Sequence, residues 1–269
     1  MSEILVVKLG GTTIAEQRQT LDEVAALARR RPVVLVHGGG KRATDWLDRL
    51  GVPTRFEGGL RVTDVASLEV TTAVLRGVVN SELVAALRER GCDAVGLSGL
   101  DGSLLVGRRI PGLGLVAQIV DVRRDLLDAI LVNGHVPVVA PLAFDENGTA
   151  CNVNADDAAA GIARGLGARQ LVLLTDVDGI RGGDGRRVAT LDAARAERLV
   201  AGGVIGGGMI PKVRAALRAV EGRAGAEAVI ADAAAPEALG RALEDRGFGT
   251  RVVGRPAASL RRPVPAGSE

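Results

Sequence analysis

Seven short runs of valine, isoleucine and leucine recur along the chain: ILVVKLG (4–10), PVVLVHG (32–38), CDAVGLS (92–98), VPVVAPL (136–142), QLVLLTD (170–176), EAVIAD (227–232) and TRVVG (250–254). Nearly continuous apolar runs of this length suit strands covered on both faces in a mainly parallel sheet. Between them lie stretches with helical periodicity, at roughly 14–30, 40–50, 64–90, 122–133, 155–166, 191–201, 209–223 and 235–246. Strand and helix in alternation predict an α/β sandwich with helices on both faces of one sheet. Three segments break the rhythm and read as hairpins: 54–64, 103–121 and the glycine-rich 179–191. With 269 residues, no linker and no repeat, the chain is long enough for one large α/β domain or two small ones.

The stretch VASLEVTTAVLRGVVNSELVAALRER (65–90) is apolar on more than one helical face, so it is either a central helix buried on both sides or a contact between two copies of the chain, and the homodimer is the favoured reading. No apolar stretch is read as approaching the ~20 residues of a membrane span, so no membrane partner is expected. A net charge of +2, with both signs mixed, argues against a nucleic-acid surface. Phe56, Phe144, Phe248 and Trp46 are the only aromatic residues, too few for recognition by base stacking. Cys92 and Cys151 have no metal or redox spacing, and no signal peptide is evident, so a cytoplasmic protein with reduced thiols is expected.

Cations are supplied almost entirely by arginine. Of 34 basic residues only three are lysines, Lys8, Lys41 and Lys212. A lysine places a compact ammonium where a planar guanidinium does not fit. Lys8 ends the first apolar run, where a buried cation is costly unless paired. Lys212 follows Gly206, Gly207 and Gly208 at a helix start, where a cation opposes the helix dipole unless an anion binds there. Lys41 reads as a solvated surface residue.

Three glycine clusters, Gly10–Gly11, Gly38–Gly40 and Gly206–Gly208, sit at strand ends or a helix start. Glycines there let backbone N–H groups approach an anion. None of the clusters fits a nucleotide-binding fingerprint, and each taken singly reads as a turn. Asn152, Asn154, Asp156 and Asp157 suit a helix cap and first turn as well as a site. Thr175, Asp176 and Asp178 lie at another strand end, where a turn also accounts for them, and Arg61 is either a hairpin surface residue or a carboxylate clamp. No Ser/His/Asp or Cys/His pairing and no metal-ligand spacing is present. Lysines, glycine N–H groups and one or two carboxylates suit phosphoryl transfer, which needs positioning and charge neutralisation more than covalent catalysis.

VKLGG, VHGGG, GGLRVTD, GLSGLDG, NVNAD, LTDVDG and GGGMIPK occur in one order over about residues 4–253, and in these motifs the chain resembles the amino-acid kinase family. The resemblance is to the branch that phosphorylates N-acetyl-L-glutamate in arginine biosynthesis. It implies a three-layer α/β/α sandwich with a central, mainly parallel sheet, forming one domain over 1–253. The lobe at about 1–155 would bind the acyl amino acid and the lobe at about 156–253 would bind ATP, leaving 254–269 as a flexible tail. By the family's pattern, Lys8 and Lys212 flank the transferred phosphoryl group and Asp156 holds the two ammoniums. Gly10, Gly11, Gly39 and Gly40 give N–H groups to phosphate and substrate. Arg61 and Asn152 hold the substrate, and Thr175, Asp176, Val177, Gly208 and Lys212 contact the nucleotide. Magnesium would bridge the ATP phosphates without a dominant protein ligand.

Two departures from the pattern shape the expectations. The first strand starts almost at residue 4, which leaves no room for the extra N-terminal helix of arginine-inhibited hexamers, so an arginine-insensitive dimer is expected. GLSGLDGSLLVGRR also resembles sister kinases whose aminoadipate or glutamate rides on a small acidic carrier protein, which Arg108 and Arg109 could engage. A non-catalytic nucleotide-binding regulatory protein is the reading from another class.

Overall fold

The computed structural model describes residues 3–10 and 14–254. Gly11 and nearly all of the tail expected at 254–269 lie outside the described residues. Among those described, the first half runs β1 (Leu5–Leu9), α1 (Ile14–Ala28), β2 (Val33–His37), α2 (Gly40–Arg49), β3 (Arg55–Glu57), β4 (Leu60–Val62), α3 (Val65–Thr72), α4 (Asn80–Arg88), β5 (Ala94–Ser98), β6 (Leu105–Arg109), β7 (Val116–Val122) and α5 (Arg124–Val132). The second half runs β8 (Val136–Ala140), β9 (Leu142–Asp145), β10 (Ala150–Val153), α6 (Ala155–Gly165), β11 (Gln170–Thr175), β12 (Thr190–Leu191), α7 (Ala193–Ala201), α8 (Met209–Val220), β13 (Glu227–Asp232), α9 (Ala238–Glu244) and β14 (Thr250–Val253). Side-chain caps start three helices where the sequence changes character. Asp64 accepts from Ser67 N, Asn154 from Asp156 N and Asp157 N, and Asp192 from Arg195 N.

Eight strands form one sheet in the order β12-β14-β13-β11-β1-β2-β8-β5. All neighbours are parallel except β13 and β14. β1 lies between β11 and β2 and is wholly buried. Its alternating side chains divide between two cores. Leu5, Val7 and Leu9 join the core that contains Leu21, Val24, Leu83 and Leu239 of α1, α4 and α9. Val6 joins the opposite core, with Ile162 of α6 and Val213 of α8. Lys8 has the parity of Val6, so the strand's two-residue period aims it at the α6/α8 layer. Each fully buried leucine or valine contributes roughly 1.5–3 kcal/mol, which fixes this register, because a one-residue slip would turn Lys8 into the other core.

The three-layer α/β/α sandwich read from the sequence is the observed fold, and all seven apolar runs form strands of the large sheet. The β3/β4 and β6/β7 hairpins form as expected. Segment 179–191 differs: a single bridge, Arg181 to Arg187, closes its turn, and β12 runs parallel to β14 instead. The Thr250 hydroxyl on β14 accepts from Ile180 N and donates to Val188 O, drawing the segment toward the sheet edge. VPVVAPL also divides at Pro141. Leu142 onward is a separate strand, which with β6, β7 and β10 closes a small four-stranded barrel.

The expectation that no stretch is long enough to span a membrane is corrected. α3, a π turn at Ala73–Val79 and α4 join into one continuous helix, Val65–Arg88. It has 24 residues and contains an 18-residue window of mean hydropathy 1.3, sufficient by length and composition. The inner side packs against α1, α2, β5, β8 and β10, and Asn80 is fully buried. Its outer side, including Ala66, Ala73, Gly77, Ser81 and Ala85, is exposed in the single chain.

Candidate active site

The carboxyl ends of β1, β2, β11 and β13 open into a cleft of about 900 Å³. Ligands of open α/β sheets bind at such strand ends, where the connections part to either side. At its centre lies Asp156, in the first turn of α6. Lys8 Nζ of β1 is 2.9 Å from its Oδ1, and Lys212 Nζ of α8 is 2.8 Å from its Oδ2. The Lys212 contact is also a hydrogen bond, whereas Lys8 meets Oδ1 as an ion pair outside hydrogen-bonding geometry. All three side chains are at least nine-tenths buried.

Two ammoniums sharing one carboxylate leave a net positive charge in a poorly solvated place. Burial pushes the Asp156 carboxyl up, but Lys8 and Lys212 together outweigh it and hold the group at about 2. Lys212 is pushed below the ordinary lysine value by burial and then by Lys8, with Asp156 opposing. An anion bound between the two ammoniums would relieve that cost. Asp157, the next residue, faces elsewhere. It accepts from Ile119 N at 2.9 Å and pairs with Arg218, tying α6 to β7 and α8.

Glycines bring backbone to the same cleft. Gly10 N donates to Leu174 O, and a Cβ on Gly10 would lie 2.7 Å from that oxygen, so only glycine fits. Gly39 has φ 130°, a conformation that excludes other residues in practice. Gly208 precedes α8, whose start opens on the cleft beside Lys212.

Arg61 on β4 reaches the other end of the cleft. It donates to Gly40 O at 2.9 Å and Thr44 Oγ1 at 2.7 Å, and its guanidinium lies 4.8 Å from the Phe56 ring centre. Among the described residues no carboxylate pairs with it. Burial lowers its affinity for a proton, with Asp48 acting in the opposite sense. A buried, carboxylate-free guanidinium facing a cleft is a receptor for an anion from outside. Asn152 on β10 donates to Thr63 Oγ1 at 3.2 Å, which fixes it near Arg61.

Twelve of the residues singled out from the sequence thus line one cleft, Lys8, Gly10, Gly39, Gly40, Arg61, Asn152, Asp156, Thr175, Asp176, Val177, Gly208 and Lys212, whereas Asp157, Gly206 and Gly207 lie outside its lining. Lys41 lines its mouth and is exposed, in keeping with its solvated reading. Sequence reasoning missed Gln17, whose Nε2 donates to Gly10 O at 3.0 Å, and Asp232 at the end of β13. Gln17 sits in a helix of ordinary polar pattern and carries no signal. Asp232 ends a strand as Thr175 does, and that parallel could have found it.

Fold and site define a class: an α/β/α sandwich with a cationic, glycine-lined cleft at the carboxyl ends of its parallel strands. A profile of the amino acid kinase family matches residues 3–232. The acetylglutamate kinase of Rubrobacter xylanophilus is 47% identical over 249 residues, covering 92% of this chain and 96% of that protein. The acetylglutamate kinase of Geobacillus kaustophilus is 45% identical over 82% of this chain and 86% of its own length. A Streptococcus mutans protein of solved structure shares the fold, with a TM-score of 0.78, 24% identity and coverage of 94% of this chain and 99% of that one. The chain belongs to the amino acid kinase family.

Proposed function

We propose that the chain catalyses ATP-dependent phosphorylation of the side-chain carboxylate of N-acetyl-L-glutamate, an early step of arginine biosynthesis. The observation that carries this is the pair of buried ammoniums on one carboxylate, with a carboxylate-free guanidinium at the other end of the same cleft. The first feature suits a transferring phosphoryl group, and the second suits an acceptor that is itself an anion.

ATP supplies the γ-phosphoryl group, with magnesium carried on its phosphates. Among the described residues no three His, Cys, Asp or Glu side chains gather to hold an ion. A side-chain carboxylate is already ionised at neutral pH, so its oxygen can attack phosphorus without a general base. The new bond is O–P, the broken one is the β,γ bridge, and the products are an acyl phosphate and ADP. Lys8 and Lys212 would flank the moving group and neutralise the charge spread over its oxygens. Asp156 would keep the two ammoniums apart and aimed. N–H groups of Gly39 and Gly40, with Gly11 outside the described residues, would hold phosphate and acceptor; the Gly10 N–H is taken by Leu174 O, which corrects its expected role as a donor, and Gly10 would serve by its lack of a side chain. Arg61 would take the α-carboxylate, and Asn152 a polar group beside it. Thr175, Asp176, Val177 and the start of α8 would receive the nucleotide, giving a lobe for the acyl amino acid at about 1–155 and one for ATP at about 156–253.

A carrier-borne acceptor is less well supported, because Arg108 is paired with Glu146 at 3.1 Å and Arg109 with Asp145 at 2.7 Å. The small exposed residues on the outer side of Val65–Arg88 would let a second copy approach closely, giving the homodimer, which light scattering would test. Hydroxylamine trapping tests the activity itself. Hydroxamate formed from ATP, magnesium and N-acetyl-L-glutamate supports the proposal. No hydroxamate from folded protein that binds ATP would transfer the assignment to a carrier-borne acceptor.

A further inference from the structure

His37, at the end of β2, is buried, and the phosphoryl-transfer scheme does not use it. Its surroundings are specific nonetheless. Nδ1 lies 2.7 Å from Gly38 O, the first carbonyl of the glycine strap. Nε2 lies 3.1 Å from Nδ2 of Asn80, the first residue of α4 and itself fully buried. Asn80 Nδ2 also donates to Val138 O at 2.8 Å and lies 3.2 Å from Leu97 O, so one side chain bridges β2, β8 and β5. Its Oδ1 faces Arg76 Nη1 at 3.5 Å, which together with the two carbonyls fixes which way the amide points. The amide has two hydrogens for three acceptors. One goes to Val138 O and the other is shared between Leu97 O and His37 Nε2.

That orientation settles the imidazole. With an N–H donor facing Nε2, that nitrogen accepts, and the ring's single proton sits on Nδ1, where it donates to Gly38 O. Burial holds the ring neutral at ordinary pH, pushing it down to about 4. The π turn Ala73–Val79 immediately precedes Asn80. It accommodates an extra residue per turn and so rotates α4 relative to an unbroken continuation of α3. The same turn backs the strap directly. A Cβ on Gly39 would lie 2.8 Å from Leu75 and 3.3 Å from Val79. Gly96 clears space for the Asn80 amide, because a Cβ there would collide with Oδ1.

We propose that Asn80 and His37 are positioning residues for the acceptor site: Asn80 sets the His37 tautomer, His37 pins the Gly38 carbonyl, and the π turn braces Gly39, so that the Gly39 and Gly40 N–H groups face the acyl amino acid. This rests on the proposed function for the identity of that ligand, but not for the geometry. His37 neighbours Leu9 in the β1/β2 register but has the parity of Leu35, so the clasp lies on the sheet face opposite the Lys8 side chain, and its loss should act on acceptor affinity more than on the nucleotide.

The test uses the full chain, calorimetry with N-acetyl-L-glutamate and with a non-hydrolysable ATP analogue, and ¹⁵N spectra of the histidine and glycine signals. Asn80→Ala should weaken acceptor binding by about tenfold or more and leave nucleotide affinity within about twofold. His37→Asn, whose amide N–H replaces Nδ1–H, should keep acceptor affinity within about threefold. His37→Gln, whose polar end replaces Nε2, should lose it as Asn80→Ala does. The two histidine variants decide the matter if Asn80→Ala does not fold. Equal losses for both ligands, no loss in any variant, or the reverse order of His37→Asn and His37→Gln overturns the proposal. In the spectra, wild type should show the Nδ1–H tautomer, and the Gly39 and Gly40 amides should shift in Asn80→Ala or His37→Gln. An Nε2–H tautomer, or unmoved glycine amides, overturns it. If wild type neither binds nor phosphorylates N-acetyl-L-glutamate, the proposed function falls, and the spectra alone decide the positioning role.

Discussion

The cleft holds buried cations at both ends, and they are held in opposite ways. Lys8 and Lys212 share an internal carboxylate, Asp156, at 2.9 and 2.8 Å. Arg61 is held only by uncharged acceptors, Gly40 O and two threonine hydroxyls. The first arrangement is nearly balanced without a ligand and leaves one charge over. The second is unbalanced until a carboxylate arrives. Removing Asp156 therefore disturbs the protein as well as its chemistry, removing Lys8 leaves a paired carboxylate and disturbs chiefly the chemistry, and removing Arg61 chiefly disturbs binding.

That contrast is broken most directly at the triad. Lys8→Ala should reduce turnover by roughly 10²–10³-fold with little change in Tm, because Asp156 keeps its bond to Lys212. Near-normal turnover would remove Lys8 from the chemistry. Asp156→Asn should do more harm to the fold, since two ammoniums then face each other unpaired at a cost of about 3–5 kcal/mol. Denaturant unfolding of both variants reads the difference, and equal stabilities would mean the triad is not the balanced unit described. Next in size, Arg61→Met should raise the acceptor KM by about 10–100-fold with the ATP KM nearly unchanged. A matching rise in both would show that Arg61 shapes the whole cleft.

The two ends were not equally legible in the sequence. Lys8 announced itself because a lysine in an apolar run, within a chain that otherwise uses arginine, has few structural uses. Its direction did not follow, because β1 is buried on both faces and only the packing shows which core Lys8 enters. Asp156 did not stand out locally, since an aspartate after Asn154 looks like any helix start; only the packing of α6 on α8 shows what it holds. Arg61 had an even reading as surface or clamp, which burial decides and sequence cannot. Asn80 and the π turn were invisible, because an i→i+5 hydrogen bond has no residue signature in VLRGVVN. The small barrel was half seen: its hairpin has alternation, but β9 and β10 are four residues each, too short to show a period.

Acid sharpens the same comparison without mutagenesis. Asp156 titrates in the folded protein at about 2, below the ordinary aspartate value of 3.8. A depressed carboxylate contributes stability that is complete above the unfolded value and disappears as pH falls through the folded one. The contribution should therefore be lost between about pH 4 and 2, and Asp156→Asn should flatten that part of the stability profile. Arg61 has no carboxylate partner and adds nothing to this limb. An unchanged acid profile in Asp156→Asn would place the depressed group elsewhere.

The smallest effect is expected at Arg108, and it separates a free acceptor from a carrier-borne one. Its ion pair with Glu146 spans two half-exposed or more exposed side chains. Exposed pairs of this kind give little in water and less in salt. Arg108→Ala should leave Tm and hydroxamate formation from free N-acetyl-L-glutamate within experimental scatter. Were the acceptor delivered on an acidic carrier, the same substitution would remove a contact at the docking surface, and the loss would grow as ionic strength falls. A salt-dependent loss of activity in Arg108→Ala, absent from Arg61→Met, would therefore locate acceptor recognition on the outside of the small barrel instead of in the buried end of the cleft.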